Sequence, residues 1–151
     1  PLPNTFDFEL LKSIHKWLFQ DLYIWAGEIR NVNIAKNILF CLHQYINQNA
    51  QYIFENLKQE NYLQGLDEDT FIDRQAYYMG EINALHPFRE GNGRTQRIFF
   101  QQLSKAAGYE LSIDQMDEKR LLRANIEALS GRYEPLKTVL RDNLNTLALS
   151  A

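Results

Sequence analysis

Between positions 86 and 97 the chain reads His86-Pro87-Phe88-Arg89-Glu90-Gly91-Asn92-Gly93-Arg94-Thr95-Gln96-Arg97. Pro87 disfavours helical geometry at the residue before it, so His86 is expected at a helix end facing a loop. Imidazole titrates nearest neutrality, which makes His86 a candidate general base. Gly91-Asn92-Gly93 can adopt positive backbone angles that turn successive N–H groups into one concavity, and a helix starting at about Gly93 adds its positive end, so the turn is suited to an anion. Arg94 and Arg97 lie three apart and share a face of that first turn, where two guanidinium groups could grip separate phosphates of a polyphosphate. A bare carboxylate at Glu90 would repel phosphate; its position makes sense if it holds a divalent cation such as Mg²⁺ bridging phosphate oxygens. Each feature has an ordinary alternative: a histidine capping a helix, a plain Asn-Gly turn, a solvated arginine face. Their coincidence favours the chemical reading. Phe88 reads as an anchor of the loop in the core.

The elements that must position these residues come from the rest of a chain of 151 residues, a length that suggests one domain with a real core. A net charge of -3 gives no global attraction to nucleic acid or to an anionic membrane, so any phosphate chemistry is local. The lone Cys41 has no partner for an internal disulfide. No apolar run approaches a membrane span and no signal-type segment opens the chain, which reads as a soluble intracellular domain excised from a longer protein. Walker A, dinucleotide-binding, CxxC and HExxH patterns are all absent.

Apolar spacing predicts a first helix capped by Asn4 or Thr5, with Leu10, Leu11, Ile14, Trp17, Leu18 and Leu22 on its inner face. Residues 28–45 carry β-favouring Ile29, Val32, Ile34 and the run Ile38-Leu39-Phe40 among turn-forming asparagines, and read as a short β-hairpin. Further helices are expected over residues 46–57 and 71–85, from about Gly93 to a stop at Gly108, and over 118–129. A last helix opens with Pro135 and carries Leu136, Val139, Leu140, Leu144 and Leu147. The fold class is all-α, a helical bundle with one hairpin.

Residues 86–97 are similar to the full motif of the Fic domain family, HxFx(D/E)GNGRxxR, with every defining position filled. The resemblance implies a Fic-type helical core with a β-hairpin flap and an activity, protein adenylyltransfer, in which AMP moves from ATP to a hydroxyl side chain and pyrophosphate leaves. It implies that His86 deprotonates the target hydroxyl, that Glu90 holds Mg²⁺, that Gly91, Asn92 and Gly93 cradle phosphate oxygens, and that Arg94 and Arg97 bind the leaving phosphates. The flap, residues 33–45, is expected to pair with an extended segment of the target protein. Lys36 and Asn37 stand where related domains contact nucleotide, Phe40 is a candidate clamp on the target, and Tyr133 and Glu134 are placed at the border of the adenine pocket.

Many Fic proteins restrain themselves through (S/T)xxxE(G/N), whose glutamate pairs with the second motif arginine. Here Thr5-Phe6-Asp7-Phe8-Glu9 is followed by Leu10 and Ser130-Gly131-Arg132-Tyr133-Glu134 by Pro135, so neither completes the pattern. An antitoxin-like partner, or a segment outside this chain, is then expected to supply the glutamate to Arg97. Two alternatives stand beside AMP transfer: transfer of another phosphate-containing group, as in the kinase-like Doc branch, and a non-catalytic module that binds nucleotide or protein. Doc replaces the second glycine of the turn, whereas Gly93 is retained here. A bacterial cytoplasmic toxin and an effector secreted into a host cytosol would both look like this.

Overall fold

The computed structural model describes residues 2–36 and 39–147. Six α-helices are formed among them: α1 (Phe8–Phe19), α2 (Ile46–Gln59), α3 (Glu68–Leu85), α4 (Asn92–Ala106), α5 (Glu118–Leu129) and α6 (Glu134–Asn143). α3 is the central member, packed against α2, α4, α5 and α6, while α1 lies against α4. Its Phe71, Ile72, Ala76, Met79, Ile82 and Leu85 enter one continuous apolar core with Leu57, Phe99, Leu103 and Leu140. Gly80 permits the tightest approach: a Cβ there would lie 2.8 Å from the Tyr133 ring and 3.3 Å from the Ala128 methyl group.

Aspartates start three of the helices. Asp7 accepts from the Leu10 N–H at 2.8 Å, Asp67 from Thr70 at 2.8 Å, and Asp117 from Lys119 at 2.9 Å. Such a cap contributes about 1 kcal/mol by satisfying an otherwise orphan donor. The first helix therefore begins after Asp7 rather than after Asn4 or Thr5, because Phe6 is fully buried ahead of it. It also ends earlier than expected, at Phe19. Trp17 and Leu22 are each 70% exposed, and the inner face is instead Leu11, Ile14, His15 and Phe19.

Two further departures involve β-structure. A small antiparallel pair joins β1 (Tyr109–Leu111) to β2 (Leu144–Thr146), with Leu111 opposite Leu144. The last helix thus stops at Asn143, and Leu144 faces the core from a strand; three-residue strands are too short to show alternation in the sequence. Among the described residues the expected hairpin comes down to one bridge, Ala35 to Leu39, with the Phe40 N–H donating to the Ile34 carbonyl at 3.1 Å. Beyond it the chain is pinned to α3 by the Cys41 N–H on the Ala84 carbonyl, at 3.0 Å, and residues His43–Tyr45 form a single tight turn. Asn37 lies outside the described residues.

Candidate active site

α3 stops at Leu85, and His86 takes left-handed angles, φ 44° and ψ 62°, while its N–H still reaches the Ile82 carbonyl at 3.0 Å. A non-glycine residue in that region costs roughly 1–2 kcal/mol and persists only when its surroundings hold it. Arg30 supplies the hold. Its buried guanidinium donates to the carbonyls of His86 at 2.7 Å, Leu85 at 3.3 Å, Val32 at 2.7 Å and Cys41. The positive charge thus sits at the negative end of α3 and ties the base of the flap to that helix end. Nothing local in the sequence marks Arg30 for this task, since its partners lie up to 56 residues away.

The His86 imidazole stacks on Phe40, ring centroids 3.8 Å apart and planes within 9°. Its Nδ1 is buried and finds no hydrogen bond of good geometry among the described residues, so Nε2 is the nitrogen left to solvent and ligand. Burial, then the positive charges of Lys36 and Arg30, push the imidazole pKa down to about 4, against a smaller opposing pull from the Asn83 main chain. The ring is neutral at physiological pH, with a free lone pair.

The turn that follows is assembled around a second histidine that the sequence reading missed. His15, fully buried on α1, donates from Nε2 to the Glu90 carbonyl at 2.8 Å and accepts the Gly27 N–H on Nδ1 at 2.8 Å. Those two bonds fix its neutral tautomer. Phe88 is buried against it, stacked at 3.9 Å. Asn92 closes the turn with its side chain, accepting the Phe88 N–H at 2.9 Å and donating to the Phe88 carbonyl at 2.7 Å.

Of the three turn residues only Gly91 has a positive φ, 81°; Asn92 and Gly93 already belong to α4. The expected concavity is therefore one glycine followed by a helix start. A Cβ on Gly91 would lie 2.3 Å from the Phe19 ring, so this position has no room for a side chain. The first helical acceptor, the Gly91 carbonyl, serves Thr95. The N–H groups of Asn92, Gly93 and Arg94 have no helical acceptor, and among the described residues no side chain caps them, unlike the aspartate-capped starts of α1, α3 and α5.

A cavity of about 420 Å³ brings His86 together with Lys36, Phe40, Gly93, Arg94 and Arg97. Its inner wall consists of Met79, Asn83, Leu121, Asn125, Ile126 and Leu129 from α3 and α5, none of them assigned to the site from the sequence. The Asn125 Oδ1 is buried without a partner. Arg97 has Glu118 at 3.7 Å, a loose contact to an 82% exposed carboxylate. Glu90 is exposed and does not line the cavity, and its carboxylate makes no ion pair or hydrogen bond among the described residues. Tyr133 packs beside Tyr77 and does not line the cavity, and Glu134 bonds Lys137, so neither borders this space. Glu9 is likewise engaged elsewhere, by Lys12 at 2.6 Å.

The fold and this helix–turn–helix site define one class. The Fic/DOC family profile matches residues 5–104, and the chain belongs to that family. It is 44% identical over 150 residues to the protein adenylyltransferase VbhT of Bartonella schoenbuchensis, covering 99% of this chain and 31% of that protein. It is 40% identical over 130 residues to the probable protein adenylyltransferase Fic of Escherichia coli, covering 85% of this chain and 65% of that one. Among solved structures, the N-terminal FIC domain of the effector Bep8 from Bartonella sp. 1-1C superposes with a TM-score of 0.91 at 32% identity, covering 95% of this chain and 75% of that one. BepC from Bartonella tribocorum with bound AMPPNP gives 0.89 at 28% identity, covering 98% and 79%. No helix among the described residues is long and apolar enough to cross a membrane.

Proposed function

We propose that this domain is a protein adenylyltransferase that moves AMP from ATP to a Ser, Thr or Tyr hydroxyl of a target protein and releases pyrophosphate. One observation carries the reading: a histidine at the end of α3 and the uncapped start of α4 with its two arginines open onto the same cavity. The target hydroxyl gives its proton to His86 Nε2 as its oxygen bonds to the α-phosphorus. The bond from that phosphorus to the bridging oxygen breaks, and pyrophosphate departs. The N–H groups of Asn92, Gly93 and Arg94 stabilise the charge that builds on the phosphate oxygens, and Arg94 and Arg97 hold the leaving phosphates. Losing one such donor costs on the order of a hundredfold in rate, about 3 kcal/mol.

A single exposed, unpaired carboxylate suits Mg²⁺, which is usually held by one or two carboxylates together with substrate phosphates. Glu90 is the residue that would hold it, and the ion would supply charge neutralisation at the phosphate oxygens. Lys36 faces the same cavity, and Asn37 is assigned to the nucleotide by resemblance alone. The apolar inner wall suits a purine ring. Asn125 Oδ1, an acceptor without a donor, favours the exocyclic amine of adenine over the oxygen of guanine. AMPPNP is bound in BepC and ADP in a related Fic domain from Bartonella quintana, which supports a nucleotide in this pocket.

An antitoxin-like protein that supplies a glutamate to Arg97 would displace the loose Glu118 contact and compete with the leaving phosphates. Similarity to translocated effectors supports action on a host-cell protein, and similarity to the Escherichia coli protein supports action in the bacterial cytoplasm. ATP labelled separately at the α- and γ-phosphates, incubated with cell lysate, tests the reading. Protein label from the α-position, lost in His86→Ala, is the expected result. Label from the γ-position alone would establish phosphoryl transfer instead, and no label with measurable nucleotide affinity would leave a binding module.

A further inference from the structure

Phe40 lines two cavities. Besides the one it shares with His86, it borders another of about 500 Å³ between the flap, α2 and α3, walled by Leu39, Tyr52, Ile53, Glu81 and Leu85. Among the described residues Glu81 is the one charged side chain in that wall. Burial raises its carboxyl pKa, and no hydrogen bond or ion pair to it is formed among the described residues. Its neighbours offer no compensation. Arg74, which lies over the Tyr77 ring, is held by both carboxylate oxygens of Glu60, at 2.8 and 2.9 Å. The Asn49 amide is engaged by the Cys41 sulfur at 3.1 Å. A half-buried carboxylate with an apolar approach and an exposed tyrosine ring beside it is an incomplete cation site.

We infer that this cavity seats a lysine or arginine side chain of the target protein, its aliphatic stem against Leu39 and Ile53 and its charge against Glu81. The inference rests on the adenylyltransferase reading and specifies its substrate. Long basic side chains suit such a slot because they bury their methylenes while keeping the charged head hydrated or paired. Glu81 lies five residues before His86, about 7.5 Å along the α3 axis and about 140° around it, so the two side chains are on the order of 13 Å apart. That is about four residues of extended peptide, so the basic residue belongs within about four positions of the modified hydroxyl. The cavity also opens beside the flap bridge, where an extended target segment would lie.

Fluorescein-labelled peptide pools test this with the 151-residue chain. Each pool carries a central Ser, Thr or Tyr and either Lys/Arg or Glu fixed at one flanking position. Fluorescence polarisation is read without nucleotide, so binding is separated from transfer. The basic pools are expected to bind on the order of tenfold tighter than the acidic ones, as one half-buried ion pair allows. Glu81→Gln should erase that preference and Glu81→Lys reverse it, both with unchanged nucleotide affinity and melting temperature. Equal binding of the pools, no binding of any pool, or a preference that survives in Glu81→Gln would overturn the inference. α-Phosphate label on protein with no basic preference removes this inference and keeps the activity; a basic preference without label does the reverse.

Discussion

Two histidines in this domain sit in similar aromatic stacks and differ in everything else. His15 lies against Phe88 at 3.9 Å, with both ring nitrogens engaged and no exposed surface. His86 lies against Phe40 at 3.8 Å, with one nitrogen orphaned and the other open to a cavity. A saturated imidazole is a structural bracket: it spans α1, the Gly27 turn and the Glu90 carbonyl, and has no capacity left for a reacting proton. An unsaturated one, held in a costly backbone conformation by Arg30, retains capacity for chemistry at some expense in stability. Both pKa values are lowered by burial, so the hydrogen-bond accounting, not the titration, separates their tasks.

The contrast breaks most sharply under truncation. His86→Ala should reduce kcat/KM for AMP transfer by about 10²–10⁴-fold, the usual contribution of a positioned base, while leaving the urea midpoint nearly unchanged. His15→Ala should do the opposite. It strands the Gly27 N–H and the Glu90 carbonyl and opens a buried gap, which costs about 3 kcal/mol in urea unfolding, with activity following the folded fraction. Gly91→Ala sits between them. A methyl group 2.3 Å from Phe19 at φ 81° should cost about 1–3 kcal/mol and weaken nucleotide binding, visible as a lower melting temperature and a higher KM for ATP.

Titration sharpens the comparison further. The folded His86 pKa of about 4 lies below the unfolded value of 6.5, so between those pH values the unfolded chain binds more protons. The stability tied to this group is full above pH 6.5 and is lost as pH falls through 4; the lowered pKa of His15 acts in the same direction. Proton NMR of the two imidazoles against pH checks both signs. The smallest effect is expected from Phe40→Ala. Removing the stacked ring should rehydrate His86, move its pKa upward toward 6.5, and raise KM for the target protein several-fold with little change in KM for ATP.

The segment from His86 to Arg97 was legible in the sequence because its geometry is local. Pro87 dictated the break after Leu85, and the glycine at 91 dictated the turn into α4. His15 and Arg30 were not legible, since their partners are set by how α1 and the flap base pack against distant carbonyls. The inner wall of the cavity was hidden for a related reason: α5 was located by its spacing, but which of its faces meets α3 is a tertiary fact. Periodicity also misled at two places. Trp17 and Leu22 have apolar side chains at helical spacing and are left exposed, and Leu144 continues the α6 pattern into a strand. At Asn92 the residue type suggested a turn, and the structure spends its side chain on tying down Phe88.

The central claim is that the neutral His86 imidazole and the uncapped start of α4 act on the same phosphate group. A crystal structure with a non-hydrolysable ATP analogue and a bound target peptide tests it most directly. The account predicts the peptide hydroxyl oxygen about 3 Å from both His86 Nε2 and the α-phosphorus, with the phosphate oxygens on the N–H groups of Asn92, Gly93 and Arg94. A nucleotide whose α-phosphate lies away from that helix start, or a hydroxyl out of reach of His86, would contradict it.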